Sequence, residues 1–510
     1  MSKIKILWAD DEIDLLKPQI MFLESKGYDI IPVTNGQDAL EKVKEEQIDV
    51  VFLDESMPGL SGLETLPKIK EINQHLPVVM ITKNEEENLM EEAIGSQITD
   101  YLIKPVKSQK IVDNKRLVRE KTQSAYQQKF QQLFMRLQDK MSHEEWIDLY
   151  KQLTFWELEL DKSDTSEMAD IFSMQKDEAN KEFCKFIANN YIDWMKNEEE
   201  APLLSHNLMK NKVFDLIKED KPTFFILIDN LRYDQWKMIE PILLNNFRTV
   251  KEDMFYSILP TATQYARNSI FSGLTPLEIS EHFPNYWKND DEEGGKNLYE
   301  SELLTALLDR TFRDDVKHSY TKVTNFEKGK DLEDKILNLM TNRFNAIVYN
   351  FVDTISHAKT EMDMIKELAS DDSAYRSLTL SWFEHSPLHN ALKKLADKDV
   401  NIIITTDHGT KLVKHPSKCV GDRHTSTNIR YKTGKSLNYN KKDVFEVLKP
   451  AEAQLPSSNL SGSYIFTKED SYLVYQNNYN KFVNYFKDTF QHGGISLEEM
   501  IIPFVQLKPR

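Results

Sequence analysis

Cysteine, long apolar runs and excess positive charge are all scarce in this sequence of 510 residues. The two cysteines, Cys184 and Cys419, cannot form a disulfide framework, which predicts a reducing compartment. No apolar run approaches the roughly 18 residues of a membrane span. The first residues, MSKIKILWADDE, also lack the layout of a signal peptide. We therefore expect a soluble, cytoplasmic protein that does not span a membrane.

The charge balance excludes one broad class of function. The formal net charge is −17, whereas sequence-independent adhesion to DNA needs a basic surface. Hydrophobic residues make up 40% of the chain and aromatic residues 10%, which is typical of globular domains. The length predicts about three such domains.

The first 105 residues alternate short apolar runs with amphipathic segments. The runs cover 4–9, 48–53, 76–82 and 98–103, and the segments 13–26 and 36–46 lie between them. This alternation is typical of an open parallel α/β sheet.

Acidic and polar residues follow these runs, at Asp10, Asp11, Asp54, Thr82 and Lys104. Three carboxylates at one sheet edge repel each other unless a divalent cation lies between them, and ligation by oxygen alone favours Mg²⁺. With the cation bound, one carboxylate can attack a phosphoryl donor, while a lysine and a hydroxyl hold the transferred oxygens.

Residues 1–108 resemble a response-regulator receiver domain of (βα)5 fold. The motifs that carry the resemblance are Asp10-Asp11-Glu12, Asp54 in FLDESMPGLSG, Thr82 and Lys104-Pro105. The resemblance implies that Asp54 is the phosphoacceptor, that Lys104 pairs with the phosphoryl group, and that Thr82 and Tyr101 form the switch pair. It also implies a Mg²⁺ site made by Asp10, Asp11, Asp54 and the carbonyl group of Ser56. The alternative is a receiver-like fold that has lost its chemistry.

The stretch from 109 to 204 is rich in helix-forming residues and poor in glycine and proline. Apolar residues at helical spacing predict three amphipathic helices, the second starting at the capping pair Ser142 and Glu145 and the third covering 166–196. Such helices bury their apolar faces on each other, so we expect a three-helix bundle linker. A short basic recognition helix for DNA is not found there.

The remaining residues, 205–510, carry three apolar runs that end on acidic residues. FFILIDN contains Asp229, AIVYNFVD ends on Asp353, and IIITTDHG contains Asp407 and His408. Two further histidines, His357 and His492, complete a set of Asp and His side chains. Strands that deliver such side chains to a sheet edge suit a metal site, and mixed nitrogen and oxygen ligands favour zinc.

These residues divide into two expected sites. Asp229, Asp407 and His408 form the first, with a hydroxyl from the segment Thr261-Ala262-Thr263 as a fourth ligand. Asp353, His357 and His492 form the second, with positions open for substrate. Two zinc ions would serve phosphoryl chemistry, one activating the nucleophile and the other stabilising the leaving oxygen.

This half of the chain resembles the alkaline phosphatase superfamily, most closely its PglZ branch, over roughly 220–507. The motifs are IDNLRYD, LPTATQYARNSIFSG, DTISH, TTDHGT and FQHGGISLEEMIIP. The resemblance implies an alkaline-phosphatase-like α/β domain with Thr263, ten residues before Gly273, as catalytic nucleophile. Thr261 is the competing candidate. It also implies a phosphothreonine intermediate, retention at phosphorus and a preference for diesters.

The segment 411–436 is the one strongly basic part of this half. It could receive a phosphodiester backbone, with Arg423 and His424 as substrate contacts, or it could be a solvated loop.

The order of the three parts resembles the PorX-type response regulators linked to type 9 secretion. The resemblance implies a sensor histidine kinase, a homodimer that forms on phosphorylation of Asp54, and a zinc-dependent phosphodiesterase acting on nucleotide or cyclic oligonucleotide signals. It further implies contact with a sigma factor or a cytoplasmic secretion-system protein. The alternative function is a non-catalytic docking platform for one of those partners.

Overall fold

A computed structural model of the chain divides into two compact units, residues 1–132 and 133–510. The residues that the structure describes are 4–25, 28–46, 48–73, 76–82, 100–104, 130, 132–161, 166–219, 221–312, 316–422, 425–457 and 461–510. Each unit is described by itself.

The first unit is a parallel five-stranded sheet in the order β2-β1-β3-β4-β5. Its strands are β1 (Ile4–Ala9), β2 (Tyr28–Val33), β3 (Val50–Asp54), β4 (Val78–Thr82) and β5 (Asp100–Ile103). Its described helices are α1 (Lys17–Ser25), α2 (Gly36–Glu45) and α3 (Gly62–Ile72), and a 3-10 turn covers Ile13–Leu16. The expected α/β sheet is confirmed, and β2 is a strand that the apolar runs had not indicated.

The alternation of side chains along β1 builds two cores. Leu7 and Ala9 pack with the buried faces of α2 and α3, and Ile6 and Trp8 pack with Leu23 of α1 on the other side. Both faces of the sheet are therefore covered, which explains why its strands are continuously apolar.

The strand order also fixes where the chemistry of this unit can lie. β1 has β2 on one side and β3 on the other, so the connections leave β1 and β3 in opposite directions. Ligands of doubly wound sheets bind at this switch point, beyond the carboxyl ends of the strands. Asp10 and Asp54 stand at those two ends.

The second unit begins with two long helices, α4 (His143–Asp161) and α5 (Ser166–Lys196). The predicted capping pair is confirmed, since the Ser142 amide donates to Glu145 at 2.8 Å and the Glu145 amide donates to the Ser142 hydroxyl at 3.3 Å. Of the first predicted helix, residues 130 and 132–136 are described and helical, and the rest lies outside the described residues.

A six-stranded sheet in the order β7-β19-β10-β6-β9-β8 forms the centre of this unit. Strands β10, β6, β9 and β8 run parallel, and β19 is antiparallel to its two neighbours. The strands are β6 (Thr223–Ile228), β7 (Phe247–Tyr256), β8 (His318–Val323), β9 (Phe344–Tyr349), β10 (Asn401–Thr405) and β19 (Ile501–Pro509). Buried Phe225, Leu227, Ala346 and Ile403 belong to the core on one face.

Helices and small sheets surround the central sheet. The helices are α6 (Phe214–Lys218), α7 (Tyr233–Leu243), α8 (Thr263–Ser272), α9 (Pro276–His282), α10 (Glu300–Thr311), α11 (Phe326–Lys335), α12 (Phe351–Glu361), α13 (Asp363–Leu368), α14 (Asp372–His385), α15 (Pro387–Leu395), α16 (Tyr479–Phe486) and α17 (Leu497–Met500). The further strands are β11 (Lys411–Val413), β12 (His415–Val420), β13 (Tyr431–Lys435), β14 (Asn438–Tyr439), β15 (Val444–Val447), β16 (Gly462–Thr467), β17 (Ser471–Tyr475) and β18 (Thr489–Gln491). They form sheets in the orders β11-β18, β14-β12-β17 and β13-β16-β15. Within the described ranges, no helix is both long enough and apolar enough to cross a membrane.

Replacement of Trp8 by alanine tests the core of the first unit. Trp8 is fully buried and meets Phe52 edge to face at 5.4 Å between ring centroids. Trp8→Ala should lower the free energy of unfolding of this unit by about 3–5 kcal/mol, because it leaves a cavity. Urea unfolding followed by hydrogen exchange of β1 and β3 would measure the loss. Leu15→Ala, at an exposed position, is the control and should change little; equal effects of both variants would contradict this packing.

Candidate functional site

The first unit has an acidic site at the switch point of its sheet. Asp10 and Asp54 are buried, Asp11 is exposed, and carboxylate oxygens of the three lie within 4.8 Å of one another. The Lys104 Nζ atom lies 3.0 Å from Asp10 and 3.1 Å from Asp54. The Glu12 amide donates to Asp10 at 2.9 Å and fixes its carboxylate.

Burial controls the electrostatics of this site. It raises the pKa of Asp54, and the hydrogen bond from Lys104 only partly opposes that rise. For Lys104, burial lowers the pKa but contact with Asp10 and Asp54 raises it above its ordinary value. Three acidic groups around one lysine form a donor set that fits a divalent cation bound by oxygen.

The other expected receiver residues are only partly described. Ser56 is exposed and lies two residues after β3. Thr82 ends β4 and Tyr101 lies in β5, but their side chains and Pro105 lie outside the described residues.

In the second unit, the parallel strands β6 and β10 bring Asp229, Asp407 and His408 together. Leu227 pairs with Thr405, so the residues that follow the two strands meet at one sheet edge. All three side chains are buried, and the His408 Nε2 atom lies 3.9 Å from Asp229 and 3.8 Å from Asp407. This is the first expected ligand group.

Arg267 connects the two carboxylates of this group. Its Nε atom donates to Asp407 at 3.0 Å, and its Nη2 atom donates to Asp229. Burial raises the pKa of Asp229 well above its usual range, and Arg267 offsets only part of that rise. Asp407 is equally buried, but the neighbouring His408 and Arg267 hold its pKa well below its usual range.

Arg267 was not among the residues singled out from the sequence. A usable signal was present, because Arg267 follows Thr263 by four residues in α8 and therefore shares its helix face. Only the tertiary structure shows that its guanidinium group is buried against two carboxylates.

Thr263 is the first residue of α8 and points its hydroxyl at the first ligand group. Its Oγ1 atom lies 3.1 Å from the Nε2 atom of His408, and the residue is only partly buried. The competing Thr261 is fully buried, and its hydroxyl donates to Gly494 at 2.8 Å and accepts from the Gly493 amide at 3.0 Å. Only Thr263 combines access with contact to a ligand group.

The second expected ligand group is also assembled. Asp353 and His357 lie four residues apart within α12, so a single helix face presents both. The Asp353 Oδ1 atom lies 3.5 Å from the Nε2 atom of His357 and 3.7 Å from that of His492. Asp353 therefore stands inside a helix and not at the end of strand β9, as the apolar run had suggested.

The two groups are neighbours, since the rings of His408 and His492 stack with centroids 4.3 Å apart. The Nδ1 atoms of these histidines lie 3.1 Å and 3.2 Å from the carbonyl oxygens of Gly409 and Thr261. Because a carbonyl oxygen only accepts, each Nδ1 carries the hydrogen and each Nε2 presents a lone pair. Burial, reinforced by the neighbouring histidines, lowers the pKa of His492 well below its ordinary value.

These features fit a metal centre. Ligand atoms within each group lie within 4.8 Å of one another, and the buried Asp229 Oδ1 atom has no hydrogen-bond partner. The hydrogen bonds of Nδ1 in His408 and His492 leave their Nε2 atoms available as metal ligands. The seven residues could hold divalent cations at two adjacent positions.

The basic segment 411–436 is not a continuous cationic surface. Three of its cations are buried: Lys411 pairs with Glu498 at 2.8 Å, Arg430 pairs with Glu499 at 3.1 Å, and Lys432 donates to the carbonyl group of Ser426 at 2.8 Å. Arg423 and His424, the expected substrate contacts, lie outside the described residues.

Comparison with known families covers nearly the whole chain. Residues 208–507 match the family described as the BREX system PglZ alkaline phosphatase-like domain. The chain belongs to the PglZ family. Residues 116–195 match the PorX response regulator linker domain, and residues 6–116 match the response regulator receiver domain. The three matches together give the composition of a PorX-type response regulator, which is a two-component regulator with an alkaline-phosphatase-like effector of the PglZ family.

Curated relatives that match this chain include transcriptional regulatory proteins, which match it over 110 to 126 residues. The transcriptional regulatory protein ZraR of Klebsiella oxytoca is 37% identical over 110 residues, which are 22% of this chain and 25% of that protein. ResD of Bacillus subtilis is 32% identical over 126 residues, which are 24% of this chain and 52% of that protein. The matched part thus spans a quarter to about half of these relatives.

Solved receiver domains match a similar share of the chain. The receiver domain protein from Methanospirillum hungatei is 21% identical and covers 24% of this chain and 99% of its own, with a TM-score of 0.23. The one from Clostridium thermocellum is 33% identical and covers 23% and 97%, with a TM-score of 0.21.

The buried Lys432 gives a prediction about pH. Burial lowers its pKa to about 8, whereas an unfolded lysine titrates at 10.5. Between these values the folded chain has released the proton that the unfolded chain still holds, so unfolding takes up a proton and stability rises with pH. The free energy of unfolding of wild type relative to Lys432→Met should rise by about 1.4 kcal/mol per pH unit between pH 8 and 10.5.

Urea unfolding at several pH values would measure this slope. Lys435→Met removes an exposed lysine of the same strand, and its stability relative to wild type should stay flat over the same range. A flat difference for Lys432→Met as well would show that Lys432 stays charged.

Proposed function

We propose that the chain is a phosphorylation-controlled, zinc-dependent phosphodiesterase that acts on nucleotide or cyclic oligonucleotide signals and thereby regulates type 9 secretion. The observation that carries the proposal is the position of Thr263. The residue is only partly buried, and its hydroxyl lies 3.1 Å from the Nε2 atom of His408, beside two groups of candidate metal ligands.

The start of α8 supports Thr263 as the nucleophile. The helix runs over ten residues from Thr263 to Ser272, so its N-terminal end lies at Thr263, where a phosphoryl group would be bound. The positive end of a helix dipole and its free N–H groups favour an anion at this place. Thr261 has its hydroxyl engaged on both sides and is a poor nucleophile by comparison.

Zinc fits the donor atoms of both groups, since it accepts imidazole nitrogen and carboxylate oxygen in one site. Asp229, Asp407, His408 and Thr263 would hold one ion, and Asp353, His357 and His492 would hold the other. When bound, two such ions lower the pKa of a nucleophilic hydroxyl and neutralise charge that develops on the phosphoryl oxygens.

The reaction then has two displacements. The Thr263 Oγ1 atom loses its proton to solvent and forms a bond to phosphorus, while the bond from phosphorus to the leaving oxygen breaks and that oxygen takes up a proton from solvent. Water then loses a proton to solvent as it attacks the phosphothreonine, the bond from Thr263 to phosphorus breaks, Thr263 takes up a proton, and a phosphomonoester leaves. Each displacement inverts the configuration at phosphorus, so the overall result is retention.

The receiver unit supplies control. Asp54 would accept a phosphoryl group from a sensor histidine kinase, with Mg²⁺ bound by Asp11, Asp54 and the Ser56 carbonyl group and by Asp10 through water. Lys104 would pair with the new phosphoryl oxygens. We propose that this modification favours a homodimer, and that the dimer changes the activity of the PglZ domain.

Hydrolysis by a threonine variant tests the enzyme. Thr263→Val removes the nucleophile, so cleavage of bis-p-nitrophenyl phosphate should fall by more than about 1,000-fold, with zinc content unchanged. Thr263→Ser keeps a hydroxyl and should retain measurable turnover. Cleavage of this diester and of p-nitrophenyl phosphate would be followed with zinc added and then chelated.

Two results would contradict the proposal. Full activity of Thr263→Val with loss in Thr261→Val would move the nucleophile to Thr261. No turnover by the zinc-loaded wild type would favour the docking platform, and binding to a sigma factor or a secretion component would then be measured.

Replacement of the phosphoacceptor tests the control step. Asp54→Ala should not dimerise with beryllium fluoride and Mg²⁺, because the carboxylate that binds this phosphoryl mimic is gone, and its zinc content should match wild type. Light scattering after size exclusion would measure the mass. The control Asp14→Ala removes an exposed acid of the same unit and should dimerise normally. Dimerisation of Asp54→Ala by the mimic would contradict the switch.

A further inference from the structure

The linker helix α5 contacts the PglZ domain along one face. Lys176, Asn180, Cys184 and Tyr191, which we call the α5 contact row, recur at spacings of four, four and seven residues and so lie on one side of the helix. All four are buried. Each meets a segment that leads into or out of the candidate metal centre.

Tyr191 holds the segment that precedes the nucleophile. Its hydroxyl oxygen accepts a hydrogen bond of 2.8 Å from the amide of Leu259, four residues before Thr263. Both Tyr191 and Leu259 are fully buried, so no solvent replaces this contact. An amide left without a partner there would destabilise the local backbone conformation.

Asn180 and Cys184 hold the segment that follows His492. The Leu497 amide donates to Asn180 Oδ1 at 2.8 Å, and the Cys184 thiol lies 3.3 Å from the carbonyl oxygen of Ile495. These backbone groups come three and five residues after His492. The position of His492 therefore depends on where α5 lies.

Lys176 reaches the segment that follows His408 through Glu498. Its Nζ atom lies 3.2 Å from Glu498 Oε1, which also accepts from Lys411 at 2.8 Å. Lys411 is three residues after His408. Between them, Gly409 packs so tightly that an added Cβ atom would lie 1.9 Å from the Glu498 carbonyl oxygen, so Glu498 and the His408 segment move together.

The same lysine begins a second path, which leads to Asp229. Lys176 donates to Glu157 of α4 at 2.9 Å, and Glu157 accepts from Arg376 at 2.8 Å. Arg376 also donates to Asp234 at 2.8 Å, and Asp234 accepts from the Nε atom of Arg232 at 2.9 Å. Arg232 is three residues after Asp229.

The charged side chains on both paths are buried, so the loss of one of them affects the positions of its neighbours. Glu157, Lys176, Arg376 and Glu498 are each at most 9% exposed. Loss of one member of such a buried set leaves its partners with uncompensated charge, so the groups around it must rearrange. If such a pair were exposed, water would solvate the charge left after a substitution, and the neighbouring residues would keep their positions.

We propose that Lys176 of the linker is a positioning residue for the active site of the PglZ domain, holding the His408 and Asp229 segments through Glu498 and Glu157. The α5 contact row then makes the linker helix a structural part of the catalytic site, and a displacement of α5 changes the geometry of the ligands. The catalytic readout of this proposal rests on the proposed function, whereas the structural readout does not.

Steady-state kinetics of the full chain gives the first test. Lys176→Met should lower kcat for bis-p-nitrophenyl phosphate by about 100-fold with KM within about twofold, because misplaced ligands impair the reaction more than substrate binding. Lys176→Arg keeps the charge and should recover most of kcat. Lys181→Met is the matched control, since Lys181 lies on the same helix in an exposed pair with Glu178 and should leave kcat unchanged.

Hydrogen exchange gives a second test that needs no activity and no metal. In Lys176→Met, peptides covering 406–411 and 492–500 should exchange about tenfold faster than in wild type, and in Lys181→Met they should not. Tyr191→Phe removes only one hydroxyl group. Tyr191→Phe should speed hydrogen exchange in residues 257–263 and lower kcat. If Lys176→Met does not fold, Tyr191→Phe replaces it as the test variant.

The outcomes separate the two ideas. Unchanged exchange and unchanged kcat in both Lys176→Met and Tyr191→Phe would overturn the inference while leaving the phosphodiesterase intact. Faster hydrogen exchange of the named peptides in these variants, with no turnover by wild type, would support the inference and contradict the proposed function.

Discussion

Two carboxylates buried at the carboxyl ends of two parallel strands, β6 and β10, are the constraint on which the PglZ domain depends. Asp229 and Asp407 are withdrawn from water, so their repulsion is not screened by solvent. Arg267 of α8 forms ion pairs with both carboxylates and compensates their charge. Since Arg267 and Thr263 share one face of that helix, the residue that compensates the carboxylates also fixes the proposed nucleophile beside them.

Buried charge also connects the PglZ domain to the helices that precede it in the chain. The sequence suggested a linker at 109–204 and an effector from 205, because helix-forming composition gives way there to apolar strands. In the structure, α4 and α5 belong to the same compact unit as the PglZ domain. Lys176 and Glu157 of the linker pair with each other and also with Glu498 and Arg376 of that domain, so the linker and the domain bury these charges in one shared network.

The strand ends and most candidate site residues of the PglZ domain could be predicted from the sequence, because they adjoin each other in the chain. Strands β6 and β10 are continuous apolar runs followed within two residues by Asp229 and Asp407, so the sequence predicts the strand ends and these candidate metal ligands together. The run 346–352 predicts a strand that ends at Asp353 because it contains a single polar residue, Asn350, and the strand in fact ends just before that residue, at Tyr349. The contacts of Arg267 with Asp229 and Asp407, and those of the α5 contact row, could not be predicted, since they depend on pairing between residues far apart in sequence.

Diffraction at the zinc absorption edge tests the central claim most directly. Crystals of the zinc-loaded chain should give two anomalous peaks, one enclosed by Asp229, Asp407, His408 and Thr263 and the other by Asp353, His357 and His492. Peaks elsewhere, or none at the first group with Arg267 still joining Asp229 and Asp407, would contradict the account. In that case the buried carboxylates are compensated by the arginine alone, and Thr263 has no activated role.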